Sequence, residues 1–175
     1  MEKKTIWDLE RAGLDTYRQS PKLPIVVVLD NIRSLNNIGA IFRTCDAFRV
    51  DHVCLCGITA TPPSPEIHKT ALGAEESVNW KYYDNTLAAL DDLKKAGYKI
   101  AVLEQVKGSI SLPDMKFSPD EKVAIVAGNE VEGVAQDVVN AADICVEIPQ
   151  EGTKHSLNVS VSTGLILWES FILLR

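Results

Sequence analysis

Four cysteines in 175 residues, none of them in a CxxC pair, are too few and too irregularly spaced for a disulfide scaffold or a zinc site. No stretch approaches the roughly 18 consecutive apolar residues of a membrane span. Met1 leads into Glu2-Lys3-Lys4 with no apolar run behind it, so neither a span nor a secretory leader is expected. The eight Pro and ten Gly are scattered, which excludes collagen-like and low-complexity chains. Basic residues are outnumbered, 18 against 24 acidic, for a net charge of -6. That balance argues against binding nucleic acid through bulk positive charge, so a polyanionic partner must be held by local basic groups. Also missing are GxGxxG after the first strand, GxxxxGK(S/T), HExxH and GxSxG, the loops of common dinucleotide, phosphate, zinc-hydrolase and serine-hydrolase sites.

What remains is a chain with 46% hydrophobic residues, enough for one domain with a core of its own. Residues 5–19, with apolar groups at Ile6, Leu9 and Leu14, predict an N-terminal helix with a weak apolar face. PIVVVLD is a continuous β-branched run, the form of a strand covered on both faces, and HVCLC, YKIAVLE, KVAIVAG and DICVEIP repeat it. VNWKYY adds a sixth strand. Helical patterns over 36–48, 85–96 and 133–142 lie between them, so the alternation predicts an α/β domain with a parallel sheet, helices on both faces, and a ligand beyond the C-terminal strand ends. Segments 59–66 and 111–121, rich in Pro, Ser and charge, are expected as surface connections or lids. Cys54 and Cys56, two apart on a strand, point to one face as small hydrophobes. All four cysteines are expected reduced, in a cytoplasmic protein.

Three segments are unusual enough to carry chemistry. In LDNIRSLNNIGAIFRTCDAF, Asn36 or Asn37 can begin a helix. Arg43, a permanent cation with a planar donor fork, follows Asn37 by six residues, and Arg33 lies in the strand-to-helix turn. In AIVAGNEVEGV a buried strand ends at Gly128, and Glu130 and Glu132 project from a turn closed by Gly133. In VEIPQEGTKHSLNVSVSTGLILWESFILL, Ser156 can cap a final helix, and Ser156, Ser160 and Gly164 form a small-residue stripe. The rest of that helix is apolar nearly all round, which points to a subunit interface. Its polar start, Lys154, His155, Ser156 and Asn158, then requires partners or a function.

Taken in order, NNIGAIFRT, VAGNEVEG and IPQEGTKHSLNVSVSTGLILWE closely resemble the three motifs of the SpoU/TrmH family of the SPOUT superfamily, S-adenosylmethionine-dependent RNA ribose 2'-O-methyltransferases. HKTALGAEESV also looks familial. The resemblance covers residues 24–175 and leaves 1–23 as an N-terminal helical extension. It implies a Rossmann-like SPOUT fold with a C-terminal trefoil knot, an exception to unknotted topology, and a homodimer through the last helix. It implies S-adenosylmethionine held by main-chain groups at Gly128, Ile148 and Leu157, and active-site positions at Asn37, Arg43, Glu130, Ser156 and Asn158, with no metal. Arg33, Lys154 and His155 would contact RNA, with Arg11, Arg18, Lys22, Lys69 and Lys107 as further candidates. The compact tRNA-modifying members are the nearer resemblance, though ribosomal RNA stays open, and the acidic balance leaves room for a helper protein. Two rivals are a catalytically idle binder of RNA or cofactor and an ordinary nucleotide-binding enzyme. The intact motif residues count against the first, and LDNIRSLNN in place of a glycine-rich loop counts against the second.

Overall fold

The β-branched runs form the interior of one parallel sheet. In the computed structural model, which describes residues 1–5, 7–9 and 11–175, the strands are β1 (Leu23–Asp30), β2 (Val50–Cys56), β3 (Asn79–Tyr83), β4 (Tyr98–Leu103), β5 (Ile110–Ser111), β6 (Lys122–Gly128) and β7 (Ile144–Glu147). Their order is β3-β2-β1-β6-β4-β7-β5, every pairing parallel. The helices are α1 (Leu14–Gln19), α2 (Leu35–Ala47), α3 (Pro65–Ala71), α4 (Ala74–Ser77), α5 (Thr86–Lys95), α6 (Gln136–Asn140) and α7 (Val159–Leu174). Alternation along β1 builds two cores. Ile25, Val27 and Leu29 pack with residues of α2, α3 and α7, whereas Val26 and Val28 pack with Cys54, Cys56 and residues of α5 and α6 on the opposite face. The doubly wound α/β reading is thus what the chain forms, with Cys54 and Cys56 side by side in one core and all four cysteines free.

Several local expectations are corrected. The N-terminal segment is a 3-10 turn, Trp7–Leu9, followed after Gly13 by the short α1, so residues 5–19 are not one helix. Leu9 and Leu14 are exposed, and Ile6 lies outside the described residues. Polar contacts tie α1 to the body: Arg18 donates to the Glu76 carbonyl at 2.6 Å and Tyr17 Oη to the Asp46 carbonyl at 3.0 Å. The stretch 59–66 ends as a helix start, because Ser64 caps α3 and Pro65 is pre-set for its first turn. Leu72 and Gly73, both at positive φ, then break α3 from α4. The stretch 111–121 inserts Met115 and Phe117 into the core, so it is no lid.

Ser34, not Asn36 or Asn37, caps α2, its Oγ accepting from the Asn37 amide at 3.3 Å. Gly39 lets α2 lie against α3, where a Cβ would collide with the Ile67 carbonyl and Thr70 Oγ1. Asn158, not Ser156, caps α7, its Oδ1 accepting from the Ser160 amide at 2.9 Å. Ser156 therefore stands before the helix and leaves the small-residue stripe. Gly164 faces Thr44 of α2 within the same chain. The outer side of α7 is less buried than expected, with Val161, Leu165, Trp168 and Ile172 at 52%, 41%, 49% and 42% exposure.

Candidate active site

The three motif segments meet beyond the C-terminal ends of β1, β6, β4 and β7. After β1, Asp30 is 2% exposed and its carboxylate is fully occupied. Oδ1 accepts from Thr86 Oγ1 at 2.5 Å and Asn31 Nδ2 at 2.9 Å, and Oδ2 from the Ala135 amide at 3.0 Å. Asn31 takes a left-handed conformation, φ 56°, which turns the chain into α2. After β6, Gly128 approaches the next turn so closely that a Cβ would collide with the Val134 amide. That turn is closed by two hydrogen bonds between the Asn129 and Gly133 main chains, and Asn129 Nδ2 donates to the Asn31 carbonyl at 2.8 Å. Positive φ at Gly133 ends the turn and delays α6 to Gln136, later than the expected start.

Glu130 is the hub. Its carboxylate accepts from the Arg33 amide at 2.9 Å, the Ser34 amide at 3.0 Å and Asn37 Nδ2 at 2.9 Å. It thus sits where α2 begins and its free amides favour an anion. Burial alone would raise its pKa, but hydrogen bonds from Arg33, Asn37 and Ser34 outweigh that and hold it below the ordinary 4.5. Asn37 turns its other end to Asn158, Oδ1 accepting from Asn158 Nδ2 at 3.1 Å. Asn158 in turn caps α7. One polar path therefore joins all three segments.

Beside this path lies a cleft of about 720 Å³, within the range of small-molecule sites. Gly128, Ile148 and Leu157 line it, as do Glu130, His155, Ser156 and Asn158. Asn37 reaches it only through Glu130 and Asn158. Arg43 is exposed on α2 and lines neither the cleft nor a second crevice beyond β1. Arg33 gives its amide to Glu130 and also lines that second crevice. Lys154 is exposed and outside both. Arg18 and Lys22 are engaged by the Glu76 and Tyr17 carbonyls.

Residues not singled out from the sequence also shape the site. Glu104, following β4, lines the cleft and accepts from the Val134 amide at 2.9 Å. Gln105 Nε2 donates to the His155 carbonyl at 2.7 Å, which anchors the 148–158 segment. The available signal was a polar residue directly ending an apolar strand run, as in VVVLD-N and IAVLE-Q. Elsewhere, His68 Nδ1 and Glu75 Oε1 lie 2.5 Å apart near Glu76, on α3 and α4 and away from the cleft.

Residues 24–168 match the profile of the SpoU rRNA Methylase family. The chain belongs to that family. A tRNA (guanosine(18)-2'-O)-methyltransferase from Aquifex aeolicus is 33% identical over 147 residues, 83% of this chain and 68% of that one. The crystal structure of an A. aeolicus TrmH/SpoU tRNA modifying enzyme superposes with a TM-score of 0.80 at 29% identity, covering 91% of this chain and 81% of that one. An AdoMet-bound rRNA methyltransferase from Sinorhizobium meliloti gives 0.78 at 27% identity, over 90% of this chain and 58% of that one. The chain spans about two thirds of the length of the curated relatives it matches. The SpoU methylases share this parallel sheet, and no helix among the described residues is long and apolar enough to cross a membrane.

Proposed function

We propose that this chain transfers a methyl group from S-adenosylmethionine to a ribose 2'-hydroxyl of RNA, with tRNA slightly favoured over ribosomal RNA. The observation that carries the reading is the path Glu130–Asn37–Asn158, which links the three motifs at the rim of a cleft lined by Gly128, Ile148 and Leu157. The cleft fits the cofactor: Val106 and Leu157 offer apolar surface, and Gly128 and Ile148 line it beside the polar residues Glu104 and Gln105. Gly128, Ile148 and Leu157 would hold S-adenosylmethionine, which would supply an electrophilic sulfonium methyl to the ribose 2'-oxygen and leave as S-adenosylhomocysteine. No metal is needed for this step.

The chain's own residues then have distinct tasks. Glu130, ionised at neutral pH, clamps the start of α2 and fixes the Asn37 amide so that its nitrogen points to Glu130 and its oxygen to Asn158. Ser156 and Asn158, which line the cleft, would meet the ribose, Asn158 while it caps α7 and holds Asn37. A guanidinium is a poor base, so Arg43, which lies outside the cleft of its own chain, would act from a second copy of the chain as a clamp on the substrate phosphate and a stabiliser of alkoxide charge. Arg33, Lys154 and His155 contribute phosphate contacts, and a helper protein can supply affinity that the acidic surface withholds.

The exposed apolar row on α7 supports a homodimer through that helix. The path of 148–158, anchored at Gln105 before α7 returns to pack on α2, is consistent with a trefoil knot. Residues 1–23 act as an extension of the 24–175 methyltransferase domain, and the protein works in the cytoplasm. The test is transfer of labelled methyl to separated tRNA and ribosomal RNA fractions by wild type and Arg43→Ala. Label in one fraction, recovered as an alkali-resistant dinucleotide and lost in the variant, is expected. No label from a wild type that binds the cofactor would favour the idle-binder reading.

A further inference from the structure

The sheet carries a second crevice, at the place where its strand order reverses. β1 passes the chain through α2 on one face to β2, whereas β6 passes it through α6 on the other face to β7, so the loops after these neighbouring strands diverge. Open α/β sheets bind ligands in such a crevice, beyond the carboxyl ends of the two strands. Here it measures about 740 Å³, and it is separated from the cofactor cleft only by the turn 129–134, which walls both.

The crevice is built before anything enters it. The Asn31 side chain holds the Ile58 amide at 3.1 Å, the Asn31 carbonyl holds Asn129, and Asp30 holds the Ala135 amide. Those contacts engage the side chains of Asp30, Asn31 and Asn129. Arg33 and Glu132 also line the crevice, with no side-chain hydrogen bond at either among the described residues, as does Gln136, whose Nε2 donates to Asn140. Two aliphatic side chains accompany them, Ile58 at 66% and Val131 at 76% exposure.

We propose that this crevice takes a guanine base of the RNA strand beside the methylated ribose, an inference that rests on the RNA reading above. Exposed aliphatic side chains suit the face of an unstacked base, and single-stranded RNA is read on just such splayed bases. A carboxylate accepts and cannot donate. Guanine alone presents two adjacent donors, N1–H and N2–H, to it; adenine, cytosine and uracil set an acceptor beside each donor. Arg33 stands ready for the attached phosphate. Because one turn separates the two cavities, a strand that delivers a ribose to the cleft delivers its neighbour here.

The experiment follows the methyl resonances of Ile58 and Val131 during titration with GMP, AMP, CMP and UMP, the cleft blocked by S-adenosylhomocysteine. GMP is expected to shift both methyls and to bind about tenfold more tightly than the other three, and Glu132→Gln should erase that preference. Ile58→Ala, a second variant, should weaken all four nucleotides while leaving GMP ahead. Absence of shifts at Ile58, equal response to all four nucleotides, or an unaltered preference in Glu132→Gln would overturn the proposal. Ile58 lines only the crevice, so its shifts report independently of methyl transfer. Labelled RNA without a GMP response would refute the crevice and keep the transferase reading, and the converse result would do the reverse.

Discussion

Asn37 is bound at both ends: its Nδ2 donates to Glu130 Oε1 at 2.9 Å and its Oδ1 accepts from Asn158 Nδ2 at 3.1 Å. A side-chain amide is a donor at one end and an acceptor at the other, so asparagine suits both of its neighbours at once. Asn37 is in consequence the joint between the first strand-to-helix turn, the second and the cap of the last helix.

Asn37→Asp is the sharpest test of that joint, because it keeps the shape, loses the donor and sets a second carboxylate against Glu130. The loss of one hydrogen bond to a charged group, with like charges left facing each other, should cost about 2 kcal/mol. Methyl transfer should fall at least roughly tenfold, while Asn37→Ser retains part of the activity. Initial rates at saturating cofactor, with circular dichroism to establish folding, check this. Equal activity of Asn37→Asp and wild type would remove Asn37 from the site.

Glu130 sets the acid limit. Its pKa in the folded chain lies below the ordinary 4.5, so the unfolded chain takes up the proton first as pH falls. Its contribution to stability is therefore complete above the ordinary value and is lost as pH drops through the lower folded value. Glu130→Gln turns an amide NH2 toward amides that need an acceptor and should be less stable than wild type near neutrality. The gap in Tm between the two should narrow as pH falls below the ordinary 4.5 and close below the lower folded value. A gap constant from neutrality into acid would show that the charge of Glu130 is immaterial.

The sheet was legible in the sequence because strands buried on both faces need uninterrupted β-branched runs, and five such runs stand out. β5 was not, since two residues carry no period and its pairing with β7 is decided by tertiary contact. The same limit applies to caps: Ser34 and Asn158 were eligible beside Asn36, Asn37 and Ser156, and the choice among them depends on where Glu130 and the 148–158 segment hold the backbone. Resemblance located Glu130, Asn37 and Asn158, and coordinates supplied what resemblance did not, namely that they touch. Arg43 is the exception, a motif residue outside the network of the single chain. Glu104 and Asp30 were overlooked because each appears in sequence as an ordinary polar strand terminus, and only the folded turn shows the amides they hold.

The buried thiols should be silent in the native protein. Burial pushes the pKa values of Cys54 and Cys56 up to about 12, raises Cys45 further, and raises Cys145 as well. At pH 8 the thiolate fraction at the three buried positions is then negligible. Native protein should release chromophore from a disulfide reagent at the half-buried Cys145 at most, and chemically unfolded protein should react at all four positions. Rapid native labelling at Cys54 or Cys56 would contradict the packed core on the α5 side of the sheet.

The last helix carries the prediction with the widest reach. Val161, Leu165, Trp168 and Ile172 recur at spacings of four, three and four, the pattern of one helix face, and all four are exposed in the single chain. Trp168 also stacks beside Phe171 at 6.0 Å, with Phe48 at 5.9 Å, so an aromatic patch borders the row. An apolar face of this kind calls for a cover, and a second copy in two-fold relation brings an identical face to it. Leu165→Glu buries a charge in that contact and should convert a dimer to a monomer by light scattering coupled to size exclusion, with the single-chain fold retained because Leu165 supports no core contact of its own. Glu169→Gln, a change nearby on the same helix that removes rather than adds charge, should leave the dimer intact. A wild-type chain that is monomeric at micromolar concentration would refute the two-fold contact through α7, and the aromatic patch would then need another partner.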